Sequence, residues 1–127
     1  MTPSKNFRKF TTSEGRHVIA GKSAEQNEQI VQQSRPDEFV LHTKAPGSPF
    51  CNIKEDASKQ DIKETAVFCA LYSRDWKENK KDVEVHIFRG KDIYKEKGMK
   101  TGTFEVKKHK SLTVKKEEIK KLIEETK

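Results

Sequence analysis

The segment 58–76, SKQDIKETAVFCALYSRDW, carries the clearest structural pattern in the chain. Ser58 and Asp61 are spaced as a capping box, in which two side chains bond the free backbone N–H groups at the start of a helix. Residues on one helical face then recur at steps of four, three, four and three: Ile62, Ala66, Cys69, Ser73 and Trp76. The pattern predicts one helix whose apolar middle packs across a sheet as the main core element.

Short apolar segments before this helix predict strands. Residues 7–10 and 18–20 are separated by a Ser-Glu-Gly turn signal at 13–15 and predict a β-hairpin. Residues 39–41 and 50–53 flank the Pro-Gly-Ser-Pro sequence 46–49 and predict a second pair of strands. Both pairs favour antiparallel connections, because their linking segments are short.

Three further strands are predicted after the helix. Apolar residues alternate over 83–87, and residues 104–106 and 112–114 predict two closing strands separated by a turn at 107–110. We also expect two smaller helices. Ser23 and Gln26 form a capping-box pair that begins one helix, which continues to Ser34, and residues 116–127 form a short C-terminal amphipathic helix.

These elements predict an α+β fold, with a mostly antiparallel sheet covered by one main helix and two smaller ones. A chain of 127 residues lies within the size range of one domain, so we expect a single domain over residues 1–127. Apolar residues make up 31% and charged residues 37% of the chain. This composition is typical of a small core under a charged surface and disfavours a large enclosed pocket.

The net charge of +7 is concentrated in one segment. Residues 89–116 contain ten basic and three acidic residues, so the rest of the chain has equal numbers of each. A localised positive field attracts polyanions, which makes nucleic acid the leading class of partner and an anionic membrane the second. A lysine-rich surface that only favours solubility explains the charge equally well.

Metal, cofactor and nucleophile chemistry find little support. Cys51 and Cys69 lie in apolar stretches without paired spacing, so we expect reduced core residues. The four histidines are scattered without ligand spacing, and no metal site or cofactor is expected. Residues 1–10 contain no apolar signal region, and the longest apolar run, 66–72, is too short to span a bilayer. A cytoplasmic protein is therefore expected.

Two polar positions are candidate binding sites. Lys22 directly precedes a capped helix start, where backbone N–H groups and the helix dipole favour anions. On local sequence alone, an ordinary turn with a solvated lysine is the better interpretation. His42 follows an apolar strand and precedes the rigid 46–49 turn. It is either a structural histidine or a hydrogen-bond donor to phosphate or ribose.

Six ordered stretches share residues with one known family. They are Phe10, Ser13 and Gly15; Ile19, Gly21, Lys22, Gln26, Asn27 and Glu28; Glu38, Phe39 and His42; Gly47 and Ser48; Tyr72, Ser73 and Trp76; and Thr101, Gly102, Thr103 and Phe104. Together they resemble the NFACT-R domain, the C-terminal module of large ribosome-associated quality-control factors that also occurs as short stand-alone proteins. Glu38 stands where the family usually has Asp.

The resemblance implies an RNA-binding module with tRNA or rRNA as ligand and a role with the ribosome. We expect this module to bind without catalysis and to have no membrane partner. The residues expected to contact RNA are Lys22, Gln26, Asn27, His42, Lys44, Ser48, Lys91, Lys95, Lys97, Lys100, Lys107, Lys108 and Lys110. Two alternatives remain open. One is an adaptor that binds an acidic protein surface of the translation machinery, and the other is an RNA-modifying enzyme centred on His42 and Glu38.

Overall fold

The structure is a computed structural model that describes residues 6–126. Its elements in chain order are β1 (Arg8–Thr11), β2 (His17–Ala20), α1 (Ala24–Gln33), β3 (Phe39–Thr43), β4 (Cys51–Ile53), α2 (Lys59–Leu71), α3 (Arg74–Asn79), β5 (Val83–Arg89), a 3₁₀ turn (Gly90–Asp92), β6 (Ile93–Tyr94), β7 (Glu105–Val106), β8 (Lys110–Val114) and α4 (Lys116–Glu125). Across the described range, no helix has the length and apolar character needed to cross a bilayer.

Six strands form one antiparallel sheet in the order β1-β2-β4-β3-β5-β8. The predicted hairpin β1–β2 and the pair β3–β4 are both present, and the predicted α+β class with a mostly antiparallel sheet is confirmed. β4 lies between β2 and β3, so the 46–49 turn returns the chain to the centre of the sheet. That turn therefore stands beside central strands.

Strand side chains alternate between two faces of this sheet. On the first, the helix face, Leu41 and Val85 pack with Cys69 of α2 and Ile119 of α4. On the second, the groove face, Val40, Phe50 and Phe88 pack with Ile30 of α1 and with Phe104. Both faces carry apolar residues because both are covered, as expected for a sheet between two helical layers.

The predicted main helix is two helices. α2 ends at Leu71, and the extended backbone of Ser73 interrupts the helix before α3 begins at Arg74. The Ser73 hydroxyl donates to the carbonyl of Ala70 at 2.7 Å and accepts the N–H of Trp76 at 3.1 Å, which caps the second helix. Trp76 still packs in the core, so the predicted core position of this residue is confirmed, whereas the predicted continuous helix is wrong.

The two predicted closing strands belong to different sheets. β8 pairs with β5 at the edge of the main sheet, whereas β7 pairs with β6 in a separate two-stranded sheet. β6 is only two residues long, too short to show a period of two in the sequence. Ile93 and Val106 from this small sheet pack against the groove face, which explains why it folds over that side.

Both cysteines are buried, unbridged core residues, as predicted. The thiol of Cys69 lies 3.6 Å from the carbonyl oxygen of Pro49. Burial raises the pKa of the Cys51 thiol well above its ordinary value, so this side chain remains a neutral thiol.

Asp61 joins the β1–β2 turn to the start of α2. Its carboxylate is only 2% exposed and accepts the Ser58 N–H at 2.9 Å and the Thr12 hydroxyl at 2.7 Å. The Ser58 and Thr12 hydrogen bonds, with Arg16 nearby, hold the pKa of Asp61 below its ordinary value against the opposing effect of burial. The predicted capping box is thus also a tertiary contact.

Replacing Asp61 by Asn tests this contact. We expect Asp61→Asn to lower the free energy of unfolding at pH 7 by about 1–3 kcal/mol, because one buried acceptor is lost. A depressed folded-state pKa stabilises the fold above the unfolded-state pKa, and this stabilisation disappears as pH falls through the folded-state pKa. Urea unfolding between pH 7 and pH 3 should therefore show the difference from wild type narrowing below about pH 4.

Asp56→Asn is the matched control, since Asp56 is exposed and this substitution removes the same charge as Asp61→Asn. It should leave the free energy of unfolding within about 0.5 kcal/mol of wild type at every pH. A deficit of Asp61→Asn that stays constant down to pH 3 would contradict an ionised, stabilising Asp61.

Candidate nucleic-acid interface

An open groove of about 720 Å³ lies on the groove face. Its walls come from the start of α1, the β3–β4 turn, Tyr72 with α3, and residues 101–104. His86 and Phe88 of β5 also line it. These segments are distant in sequence and meet only through the sheet. We call this space the groove.

Positive charge dominates the groove. Five cationic side chains line it, and among residues 6–126 no carboxylate does: the cations are Arg8, Lys22, Lys44, Arg74 and Lys77. Only Lys44 has an ion-pair partner in the described part of the chain, Glu84 at 3.9 Å. The guanidinium of Arg8 donates to the carbonyl of Gly21 at 2.8 Å and lies 4.3 Å from the ring centre of Tyr72. Unpaired cations around a concave surface focus a positive potential.

The start of α1 forms one wall. The Ser23 hydroxyl accepts the N–H of Gln26 at 3.2 Å, as the predicted capping box requires. Gln26 reaches back one residue further than expected, because its side-chain carbonyl accepts the N–H of Lys22 at 2.9 Å. This N–H is therefore occupied, and an anion near the turn would meet the ammonium of Lys22.

Asn27 fixes α1 against the sheet. Its side-chain carbonyl accepts the N–H of Phe50 at 3.1 Å. The helix approaches so closely that a Cβ at Gly21 would overlap Asn27 Oδ1. The glycine-lysine and glutamine-asparagine sequence thus has a structural reason in this chain, since it places the helix start at the groove.

Glu28 holds the opposite rim. Its carboxylate accepts the N–H of Gly102 at 2.7 Å and the ammonium of Lys95 at 2.9 Å. Burial opposes ionisation, but these two donors hold the pKa of Glu28 below its ordinary value. Lys95 also donates to the carbonyls of Lys100 and Thr103, so this lysine shapes the loop that borders the groove.

His42 lies inside the groove. Its Nδ1 is 2.8 Å from the carbonyl oxygen of Thr43, and its ring stacks on Phe50 with centroids 4.3 Å apart. Burial lowers the pKa of His42 to about 4, and the nearby His86 contributes in the same direction. The ring is therefore neutral at physiological pH. His86 stacks on His109 with centroids 3.8 Å apart.

The structure brings together five of the thirteen predicted contact residues. Lys22, Asn27, His42, Lys44 and Ser48 line the groove, while Gln26, Lys91, Lys95, Lys97, Lys100, Lys107, Lys108 and Lys110 do not. Ser48 is 7% exposed, and its hydroxyl accepts the N–H of Thr43 at 3.0 Å. Ser48 and Asn27 thus form part of the wall and also support it.

The lysine-rich segment is divided among several surfaces. Lys97 and Lys100 are exposed on the loop that borders the groove, and Lys107 and Lys108 precede His109. Lys110 pairs with Ile87 across β5 and β8. Paired residues share a face, so Lys110 lies on the helix face, away from the groove. Lys91 belongs to the 3₁₀ turn, where its N–H donates to the carbonyl of Pro36.

Sequence reasoning missed several residues of the groove: Arg8, Tyr72, Arg74, Lys77 and His86. A usable signal existed for two of them. Ser73 is a preferred N-cap residue, and a helix that restarts there turns Arg74 and Lys77 away from the core position of Trp76. Arg8 and His86 carry no local signal, because only strand order brings them here.

Comparison with known proteins gives consistent matches. The family described as the NFACT protein RNA binding domain matches residues 6–108. An archaeal Rqc2 homolog, aRqcH from Methanocaldococcus jannaschii, is 37% identical over 73 residues, covering 54% of this chain and 11% of that protein. This chain therefore spans only a small part of that relative.

The same fold occurs in a solved structure, the C-terminal part of the fibronectin/fibrinogen-binding protein from Streptococcus suis. The TM-score is 0.80 at 21% sequence identity, and the match covers 94% of this chain and 50% of that chain. At this identity the likeness concerns the fold alone. Because the family match extends from residue 6 to residue 108, the predicted NFACT-R resemblance is confirmed, and this chain belongs to the family of NFACT RNA-binding domains.

Proposed function

We propose that this chain acts as a single RNA-binding domain whose main contact surface is the groove. The observation that carries the proposal is the set of five cationic side chains around a groove that no carboxylate lines within residues 6–126. The family description supports RNA as the polyanion, and the aRqcH relative supports a role in ribosome-associated quality control. Within that role, tRNA or rRNA is the proposed ligand.

Binding begins with electrostatic capture of the phosphate chain and continues with local fitting. Lys22, Lys44, Arg74 and Lys77 contact phosphates from the walls of the groove, and Arg8 does so from its fixed position over Tyr72. Exposed lysines outside the groove extend the positive field along the bound RNA: Lys97, Lys100, Lys107 and Lys108. Most contacts to phosphate carry no sequence information, so the domain recognises the shape and charge of RNA.

We propose binding without turnover. The catalytic pair suggested by the sequence would need the carboxylate of Glu38 to orient His42. Glu38 is 3% exposed and accepts hydrogen bonds from the N–H groups of Arg35 and Glu55 and from Lys54. His42 bonds the carbonyl of Thr43. The two side chains have separate partners, which supports a structural role for Glu38.

Salt dependence tests the electrostatic mechanism. We expect the logarithm of the association constant for a tRNA to fall linearly with the logarithm of salt concentration, with a slope of about −4 if the five groove cations contact phosphates. Fluorescence anisotropy at 50 to 300 mM salt measures the slope. If the chain is instead an adaptor for an acidic protein surface, its binding to tRNA should be no stronger than background. Crosslinking to cellular RNA would then recover no RNA above a charge-matched control.

The double variant Arg74→Ala, Lys77→Ala tests the location of the site. We expect it to weaken tRNA binding by about 10- to 100-fold and to reduce the salt slope by about 1.5, because two phosphate contacts are lost. The control is Lys120→Ala, Lys121→Ala, which removes the same charge from exposed positions of α4 outside the groove. Equal losses in both double variants would refute a localised groove site.

His42 should not gain charge between pH 8 and pH 6. The pKa of His42 is about 4, and burial together with His109 also lowers the pKa of His86. With a pKa of about 4, His42 stays neutral over this range and adds no attraction for phosphate. We expect the ratio of tRNA affinities of wild type and His42→Asn to be constant from pH 8 to pH 6. A ratio that rises toward pH 6 would show that His42 becomes protonated.

A further inference from the structure

The hydrogen bond of His42 fixes which ring nitrogen carries the proton. Nδ1 lies 2.8 Å from the carbonyl oxygen of Thr43, and a carbonyl oxygen can only accept a hydrogen bond. Nδ1 must therefore be the N–H donor. In a neutral imidazole the second nitrogen, Nε2, is then an acceptor with a free lone pair. The lowered pKa of His42 keeps the ring in this neutral form near pH 7.

Nε2 is available to a ligand. Within residues 6–126 it bonds no other protein atom. Two buried side-chain polar atoms in this range lack a partner, Arg16 Nε and Thr65 Oγ1. Nε2 of His42 also lacks a partner but is not among these buried atoms, so solvent reaches it. The His42 ring lines the groove, and stacking on Phe50 together with the Thr43 bond holds the ring orientation. A rigid acceptor thus stands in a groove whose charged groups are all cationic donors.

An acceptor at this point selects a donor on the nucleic acid. Phosphate oxygens only accept, so they bind the surrounding cations and cannot bond an unprotonated Nε2. Along a sugar-phosphate backbone, the group that can donate is the ribose hydroxyl, which distinguishes RNA from DNA. DNA offers no such donor between its phosphates.

The aromatic rings of the groove disfavour a base as the alternative donor. Phe50 and Phe88 are only 6% and 4% exposed. Arg8 covers the ring of Tyr72, and the ammonium of Lys95 lies 4.5 Å from the ring centre of Phe104. Bases bound without duplex pairing usually stack on open aromatic faces, and these four rings offer little open surface. The groove therefore suits a backbone, with cations for its phosphates and one acceptor for its sugar.

We propose that His42 Nε2 accepts a hydrogen bond from a ribose hydroxyl of the bound strand and is a specificity-determining residue for RNA over DNA. This inference rests on the proposed function and adds the chemical group that the groove recognises. It also differs from the sequence-based alternative, in which His42 donates a hydrogen bond.

The test uses two synthetic hairpins of one sequence with a single-stranded 3′ tail. One is RNA, and the other carries a 2′-fluoro group on every ribose, which removes the hydroxyl donor and retains the bases and phosphates. We expect the wild type to bind the RNA hairpin about 3- to 10-fold more tightly than the fluoro hairpin, the effect of one hydrogen bond. For His42→Phe and His42→Asn the ratio should fall to about one, with affinity for the fluoro hairpin unchanged.

The two variants preserve different parts of the structure. His42→Phe keeps a ring to stack on Phe50, and His42→Asn keeps a donor for the carbonyl of Thr43. Thermal unfolding identifies a variant that is not folded, and the wild-type comparison of the two hairpins stands without either. Equal binding of both hairpins by the wild type overturns the inference. So does an equal loss for both hairpins in the variants, which would indicate a base donor or a structural role.

A failure of the proposed function is recognisable separately. In that case Arg74→Ala, Lys77→Ala would bind the RNA hairpin as tightly as Lys120→Ala, Lys121→Ala does, whatever the hairpin ratio. The groove would then not be the RNA site, and the proposed ribose contact of His42 would be rejected as well. Loss of binding in the groove variant together with a hairpin ratio near one would leave the RNA site in place and reject only the ribose contact.

Discussion

The polar side of α1 controls the geometry of the groove. This helix buries one large side chain fully, Ile30, so apolar packing alone defines its orientation weakly. Asn27 bonds the backbone N–H of Phe50, which directly precedes β4, and Glu28 bonds the backbone at Gly102 and the ammonium of Lys95. These directional contacts fix the helix relative to both rims. Residues that match the family's sequence pattern thus also fix the walls of the groove.

The parts of the fold that depend on local chemistry could be predicted. The capping box at Ser58 and the alternation around Val85 each follow from neighbours within a few residues, and both occur in the structure. The break at Ser73 was missed because its spacing also fits a continuous helix. The pairing of β6 with β7 was missed because its register depends on residues that lie 11 and 13 positions apart in the chain, and a two-residue strand has no pattern of its own.

The site was predicted in part for the same reason. Lys22 and His42 flank recognisable turns, and both line the groove. Counting charge along the chain gave no information about faces. Strand alternation turns Lys110 to the helix face, and an internal ion pair occupies Lys95. Arg8 and Arg74, in contrast, enter the groove from outside the lysine-rich segment 89–116. Density of lysine in a sequence is therefore a weak guide to where the positive field is strongest in the folded molecule.

The groove is built from segments that range from Arg8 to Val106, and this arrangement has a mechanical consequence. A polyanion bound in the groove would contact segments from near the beginning and near the end of this range at the same time. It would therefore hold distant parts of the chain together across the sheet. By mass action, occupancy at a hundredfold excess over the dissociation constant adds about 2.7 kcal/mol to the free energy of unfolding. The loaded domain would resist proteases and heat better than the empty one.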